Sequence, residues 1–195
     1  MIRLALVSAA LMFGAPAFAQ ATGDQPAAPQ PEGKVLAVPQ ATPVLDPENI
    51  LYLDLSTGGR VTILLRPAVA PKHVERVKLL TRKGFYNGLV FHRVIDGFMA
   101  QGGDPTGTGM SGSDKPDLKA EFNGEPHVRG TCSMARTSDP DSANSQFFIC
   151  FDDARFLDKQ YTVWGEVIEG MDLIDALPKG EPPRAPGKIV KAHSA

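Results

Sequence analysis

The chain has 195 residues, enough for one domain with additional segments. Its 20 basic and 22 acidic residues are intermixed, which leaves no basic stripe for nucleic acid and no polybasic run for an anionic membrane surface. Two cysteines cannot build a zinc site alone, and their spacing fits no metal motif.

Residues 1–19 read as a secretory signal peptide. Arg3 gives a positive start, Leu4–Ala15 an apolar run too short to span a bilayer as a helix, and Ala17-Phe18-Ala19 a small-x-small cleavage site after Pro16. An uncleaved N-terminal anchor is the alternative. Cleavage after Ala19 predicts a periplasmic or secreted protein with no membrane insertion of the mature chain. Residues 20–46, rich in Ala, Pro, Gln and Thr, lack apolar periodicity and read as a disordered linker.

Residues 47–195 read as the folded domain. Asn49–Leu55 alternates as a strand, Ser56-Thr57-Gly58-Gly59 turns, and Arg60–Leu65 returns. Pro71 opens a helix whose apolar face carries Val74, Val77 and Leu80, and Gly84 stops it. Strand-like runs follow at Leu89–Ile95, Phe98–Gln101, Thr131–Ala135, Gln146–Phe151 and Tyr161–Ile168. Residues 105–127 are loop by composition. The glycines of Thr106–Gly112 lack the lysine and the following helix of a phosphate loop, so the segment reads as the rim of a binding groove. Gly170–Leu177 reads as a second helix ended by Pro178 and Gly180, and Lys188–Ala192 as the last strand. Many short strands with two helices and Gly/Pro-rich loops predict a mostly β fold, a closed β-barrel.

The richest stretch is Phe91–Asp104, FHRVIDGFMAQGGD. Arg93 sits there between apolar residues, where a charge needs a partner or a task. Gln101, Phe98 and Met99 are close by, and Ser145–Cys150 (SQFFIC) adds Phe147 and Phe148. Adjacent strand residues face opposite ways, so one of these two phenylalanines is free to line a pocket while the other is core. A guanidinium, an amide and apolar surface, without a nucleophile or metal set, suit an apolar substrate with one polar bond to be acted on. Taken singly, each residue also has a plain structural reading: an ion-paired arginine, a solvated glutamine, core aromatics.

FHRVIDGFMAQGGD, SMAR (Ser133–Arg136), NSQFFIC (Asn144–Cys150) and FLDKQYTVWGEVIEGMDLID (Phe156–Asp175), in this order, resemble the cyclophilin family of peptidyl-prolyl cis–trans isomerases from roughly Pro47 to the C-terminus. The resemblance implies a closed eight-stranded antiparallel β-barrel capped by two α-helices, one over each end, no cofactor and no metal. It implies proline-containing unfolded or partly folded polypeptides as partners, and nothing in the chain demands an oligomer, so a monomer is expected. The reaction is rotation about an Xaa–Pro bond, whose barrier of about 18–20 kcal/mol comes from amide resonance. No bond breaks; a donor aimed at the prolyl nitrogen of the twisted state is sufficient chemistry.

By resemblance Arg93 is that donor, Gln101 holds the arginine and contacts substrate backbone, and Phe98 belongs with them in the catalytic set. His92, Met99, Ala135, Arg136, Gln146, Phe148, Phe156, Leu157 and Tyr161 match substrate-groove positions. Three of them depart from the commonest pattern: Arg136 stands for asparagine, Phe156 for tryptophan and Tyr161 for histidine. Phe156 lacks the indole N–H, so weak cyclosporin binding is expected. Cys132 and Cys150 meet an oxidising compartment, but with Ala135 and Phe148 both facing the groove, as the resemblance implies, strand parity places the two thiols on opposite faces, which predicts no bridge. The alternatives are a non-catalytic peptide-binding or chaperone module using the same groove, and a hydrolase, for which no Ser/His/Asp or carboxylate pair stands out in the matched segments.

Overall fold

A computed structural model describes residues 45–194; the predicted signal peptide and nearly all of the linker lie outside the described residues. β1 (Ile50–Leu55) and β2 (Gly59–Leu65) form the first hairpin, with Leu55 opposite Gly59. Gly58 takes φ +91°, the left-handed conformation that a tight turn demands and that glycine adopts without steric penalty. α1 (Pro71–Arg82) follows and buries His73, Val74, Val77 and Leu80. β3 (Arg93–Ile95), β4 (Met99–Gly102), β5 (Thr131–Met134), β6 (Phe147–Cys150), β7 (Val163–Glu169), α2 (Met171–Asp175) and β8 (Ile189–Ser194) complete the order.

The eight strands form one antiparallel sheet in the order β3-β4-β6-β5-β7-β2-β1-β8. Its concave face holds the main core, in which Leu53, Val61, Ile63, Phe91, Phe147 and Trp164 meet the buried face of α1. α1 packs on β7 and β8, and α2 packs on β2. α1 draws its N-terminal cap from far away. Ala70 has no polar side-chain atom to offer, and Glu121 accepts the Lys72 and His73 backbone N–H groups at 3.0–3.1 Å.

The expectation of a closed barrel is corrected. Among the described residues no ladder joins β3 to β8, and the sheet is an open half-barrel. Isolated bonds cross the gap: Gly88 N–H to the Ile189 carbonyl, Ile189 N–H to the Leu89 carbonyl, the Val90–Lys188 bridge, Phe91 N–H to the Gly187 carbonyl, and the reciprocal pair of Val94 with Gly180. The cause lies in residues 178–187, where Pro178, Pro182, Pro183 and Pro186 have no N–H to give to a ladder. The same competition shortens the run expected at Leu89–Ile95 to Arg93–Ile95, because the backbone from Gly88 to Phe91 bonds to residues 187–189 instead.

Candidate active site

Strand alternation on β6 builds the site. Phe147 points into the main core, edge-on to Tyr86, Phe91 and Trp164. Phe148 points to the opposite face, where it forms a second, smaller apolar cluster with Met99, Cys150 and Ala154, flanked by Phe98, Ala135, Leu157 and Tyr161. Register places Gln101 beside both Arg93 and Phe148, so the guanidinium, the amide and the phenyl ring sit on three adjacent strands.

This cluster surrounds a cavity of about 140 Å³ lined by Arg93, Phe98, Met99, Gln101, Ala135, Arg136, Phe148, Leu157 and Tyr161. A neighbouring cavity of about 350 Å³ shares Gln101, Ala135 and Arg136 and is otherwise lined largely by residues 109–113 and by Thr137, Ser142, Asn144 and Gln146. Residues 109–112 of the glycine-rich segment therefore line this cavity. Asp104 anchors that segment, accepting from Thr106 N–H at 2.7 Å, the Thr106 hydroxyl at 2.8 Å and Ser111 N–H at 3.3 Å. Burial acts to raise the Asp104 carboxyl, but these bonds together hold it below the usual carboxylate range.

Three of the predicted groove residues lie outside the smaller cavity. Gln146 lines the larger one and fixes the wall between them, donating to the Gly109 and Ser111 carbonyls at 3.0 and 2.8 Å and accepting from the Gln101 amide at 2.9 Å. Phe156 stands 65% exposed at the edge, its ring 5.5 Å from that of Phe98. His92 lines neither cavity. Its ring is buried beside Gly109, neither nitrogen has a hydrogen-bond partner among the described residues, and burial lowers its pKa. His92 thus lies buried beside the rim residue Gly109.

Among the described residues Gln101 makes no hydrogen bond to Arg93; its amide N–H is given to Gln146. Arg93 instead donates from Nε to Glu181 Oε2 at 2.6 Å, across 88 residues of sequence. Nothing local in the sequence announces that partnership. Arg136 is tied back: Nε and Nη2 donate to the Gln160 carbonyl at 3.0 and 2.7 Å, and Nη1 to the Thr137 carbonyl at 2.8 Å. Its guanidinium lies 4.6 Å from the centre of the Tyr161 ring, a cation–π contact that places the two substituted positions together.

A Ser/His/Asp chain does exist. Ser133 Oγ lies 3.1 Å from His127 Nε2, and His127 Nδ1 lies 2.9 Å from Asp158 Oδ1. It offers no hydrolytic nucleophile, since Ser133 is fully buried and its hydroxyl donates to the Thr162 carbonyl at 2.9 Å. The chain instead supports the cavity floor, where His127 stacks on Phe148 at 6.0 Å and meets Tyr161 edge-on at 6.5 Å. Sequence reading gave His127 no role, because its partners come from two other segments. Cys132 and Cys150 are both free and buried, in the main core and in the groove cluster respectively. Burial pushes the Cys150 thiol up to about 12 and Cys132 well up, leaving both unreactive. Among the described residues no three His, Cys, Asp or Glu side chains gather to hold a metal ion.

Comparison with known proteins agrees with this geometry. Residues 52–194 match the family described as cyclophilin-type peptidyl-prolyl cis-trans isomerase. A probable peptidyl-prolyl cis-trans isomerase of Brucella suis biovar 1 is 50% identical over 169 residues, covering 78% of this chain and 86% of that protein. The crystal structure of the cyclophilin AquaCyp293 from Hirschia baltica superposes with a TM-score of 0.71 at 34% identity, covering 77% of this chain and 75% of that one. A Cryptosporidium parvum cyclophilin-type isomerase, solved in the presence of the dipeptide Ala-Pro, superposes with a TM-score of 0.70 at 28% identity, covering 75% and 98%. With its half-barrel fold, its arginine-walled apolar cavity and these relatives, the chain belongs to the cyclophilin-type peptidyl-prolyl cis-trans isomerases.

Proposed function

We propose that Arg93 is the donor through which this peptidyl-prolyl isomerase lowers the rotation barrier, and that its substrates are polypeptides exported from the cytoplasm. The observation that carries the assignment is the placement of Arg93 on the wall of a cavity whose apolar walls include Phe98, Met99, Phe148 and Leu157. A prolyl ring seated there removes apolar surface from water. The Ala-Pro dipeptide of the Cryptosporidium relative supports the same ligand class here. As the Xaa–Pro bond twists, conjugation is lost and the prolyl nitrogen regains a lone pair. An Nη–H of Arg93 donates to that lone pair, an interaction absent from either planar state, so the twisted state is bound more tightly than cis or trans. Gln101, held by Gln146, presents a fixed amide to the substrate backbone, and Ala135 and Arg136 offer backbone along the groove. Phe98, Met99, Phe148, Leu157 and Tyr161 shape the prolyl site, with Phe156 as an exposed apolar edge.

Replacing Arg93 with alanine should lower kcat/KM on a short Ala-Pro peptide by a factor of hundreds, about 3 kcal/mol, with the thermal midpoint unchanged. Retention of more than about a third of the rate, a loss under ~1 kcal/mol, would refute the assignment. Export rests on residues 1–19, with 20–46 as linker and the folded domain from residue 47. Mass analysis of the exported protein should find a chain beginning near Gln20, whereas a membrane-retained product starting at Met1 would refute cleavage. Analytical ultracentrifugation is expected to show a monomer.

A further inference from the structure

We infer that Glu181 is a positioning residue for Arg93, an inference that rests on Arg93 being the catalytic donor. The contact is built rather than casual. Gly180 exchanges two backbone hydrogen bonds with Val94, at 2.9 and 2.8 Å, and so fastens the 178–187 loop to β3 one residue beyond Arg93. That fastening requires glycine: a Cβ at Gly180 would lie 2.7 Å from Pro183 Cα and 2.9 Å from the Pro182 carbonyl oxygen. Pro182 and Pro183 directly follow Glu181 and restrict its backbone. The loop therefore delivers one carboxylate to one edge of one arginine.

The edge it occupies matters. Glu181 takes Arg93 Nε–H at 2.6 Å, while no hydrogen bond of the described residues engages either Nη of Arg93. The guanidinium is a rigid planar fork, so fixing Nε fixes the direction of both Nη groups. Arginine is otherwise a side chain with many rotamers, and a donor that must be recruited from many conformers stabilises a transition state less than one already aimed. Gln101, whose amide N–H goes to Gln146, makes no hydrogen bond to Arg93 among the described residues. Arg93 is 41% exposed and Glu181 52% exposed, so the pair adds little to stability. Its effect belongs to kcat.

The experiment measures kcat and KM on an Ala-Pro peptide by NMR exchange, together with thermal midpoints, for the full chain and for Glu181→Ala, Glu181→Gln, Arg93→Ala and the double variant. Glu181→Ala should lower kcat about tenfold with KM within about twofold of wild type and the midpoint unmoved. Glu181→Gln should recover most of kcat, because its amide oxygen still accepts from Nε–H. On the Arg93→Ala background, Glu181→Ala should have no further effect. The Arg93 Nε–H resonance, identified by its loss in Arg93→Ala, should shift and exchange faster in Glu181→Ala. Unchanged or raised kcat in Glu181→Ala, or the same fall with and without Arg93, overturns the inference while leaving Arg93 as the donor. A full rate in Arg93→Ala overturns both.

Discussion

Phe147 and Phe148 are neighbours on β6, and each belongs to a different apolar cluster. Around Phe147, three aromatic rings close edge-on, and the cluster continues through β1, β2, β7 and α1 without reaching solvent. Around Phe148 the cluster is small and stops at a cavity of about 140 Å³ whose far wall is a charged side chain. A gap in packing forfeits dispersion contacts that the lining atoms would otherwise make. In the main core such a gap is simply a loss. In the groove, on the proposed reading, it is the space into which a prolyl ring would pack, and part of the affinity for substrate would then be packing that the fold leaves incomplete.

Truncating the two rings tests that difference most strongly. Phe147→Ala should destabilise the protein by about 3–5 kcal/mol, since it opens a void in a closed aromatic cluster. Phe148→Ala should remove only about 1–2 kcal/mol, because its ring already borders a cavity. Turnover should respond the other way: per folded molecule, Phe148→Ala should lose more than tenfold in kcat/KM and Phe147→Ala much less. Urea unfolding and the peptide exchange assay read the two quantities separately. Equal stability losses would mean that the groove cluster is core by another name.

How much of this was legible in the sequence follows the same division. Alternation sent Phe147 and Phe148 to opposite faces, and the family resemblance chose Phe148 for the groove; from that anchor parity placed Cys132 and Cys150 on opposite faces, because strand parity is a local property. The hairpin, α1 and the strand runs were legible for the same reason, through periodicity and turn residues. Closure of the barrel was not. It depends on whether residues 178–187 can donate to a ladder beside β3, and a count of short strands carries no information about that. The site divided likewise. Nine of the twelve expected residues line one cavity, but Glu181 on Arg93, Asp158 on His127 and Gln146 on Gln101 are side-chain pairs made across 31 to 88 residues, set by tertiary geometry alone.

The groove edge offers a smaller contrast, between apolar cover and a hydrogen bond. Phe156 is exposed over Phe98 and outside the cavity lining, so it contributes surface without a donor. Cyclosporin binding in the family is helped by an indole N–H at the matching position. Its absence predicts inhibition weaker by about 10–100-fold, the range of a lost hydrogen bond with an acceptor left unpaired. Phe156→Trp should tighten cyclosporin inhibition by that order and change peptide turnover little. Equal inhibition of both proteins would show that Phe156 does not occupy the tryptophan's place.

The smallest expected effect lies on the core side, where the long loop ties down α1. Glu121 caps the helix N-terminus and bonds the buried His73 ring, with Nδ1 at 2.7 Å from Oε2. Burial lowers the His73 pKa, outweighing the attraction of Glu121; its Nε2 has no partner among the described residues and would carry an unsatisfied N–H if protonated. Burial acts to raise the Glu121 carboxyl, but the bonds from His73 and Lys72 together hold it below its usual value. Both groups thus bind protons less readily folded than unfolded, so stability is fullest at neutral pH. It should fall as pH drops through about 6.5, where unfolded histidine takes up a proton, and again below about 4.5, where unfolded glutamate does. His92, also lowered by burial, adds to the upper limb. Glu121→Gln should lower stability at pH 7 by about 1 kcal/mol through the weakened cap. It should abolish its share of the lower limb and keep the upper one, since His73 loses the carboxylate that favours its charged form. Turnover at pH 7 should stay at the wild-type value, because this contact touches neither cavity. Urea titrations across pH 4 to 8 read both limbs, and a lower limb unchanged by Glu121→Gln would mean that the acid-sensitive tie lies elsewhere.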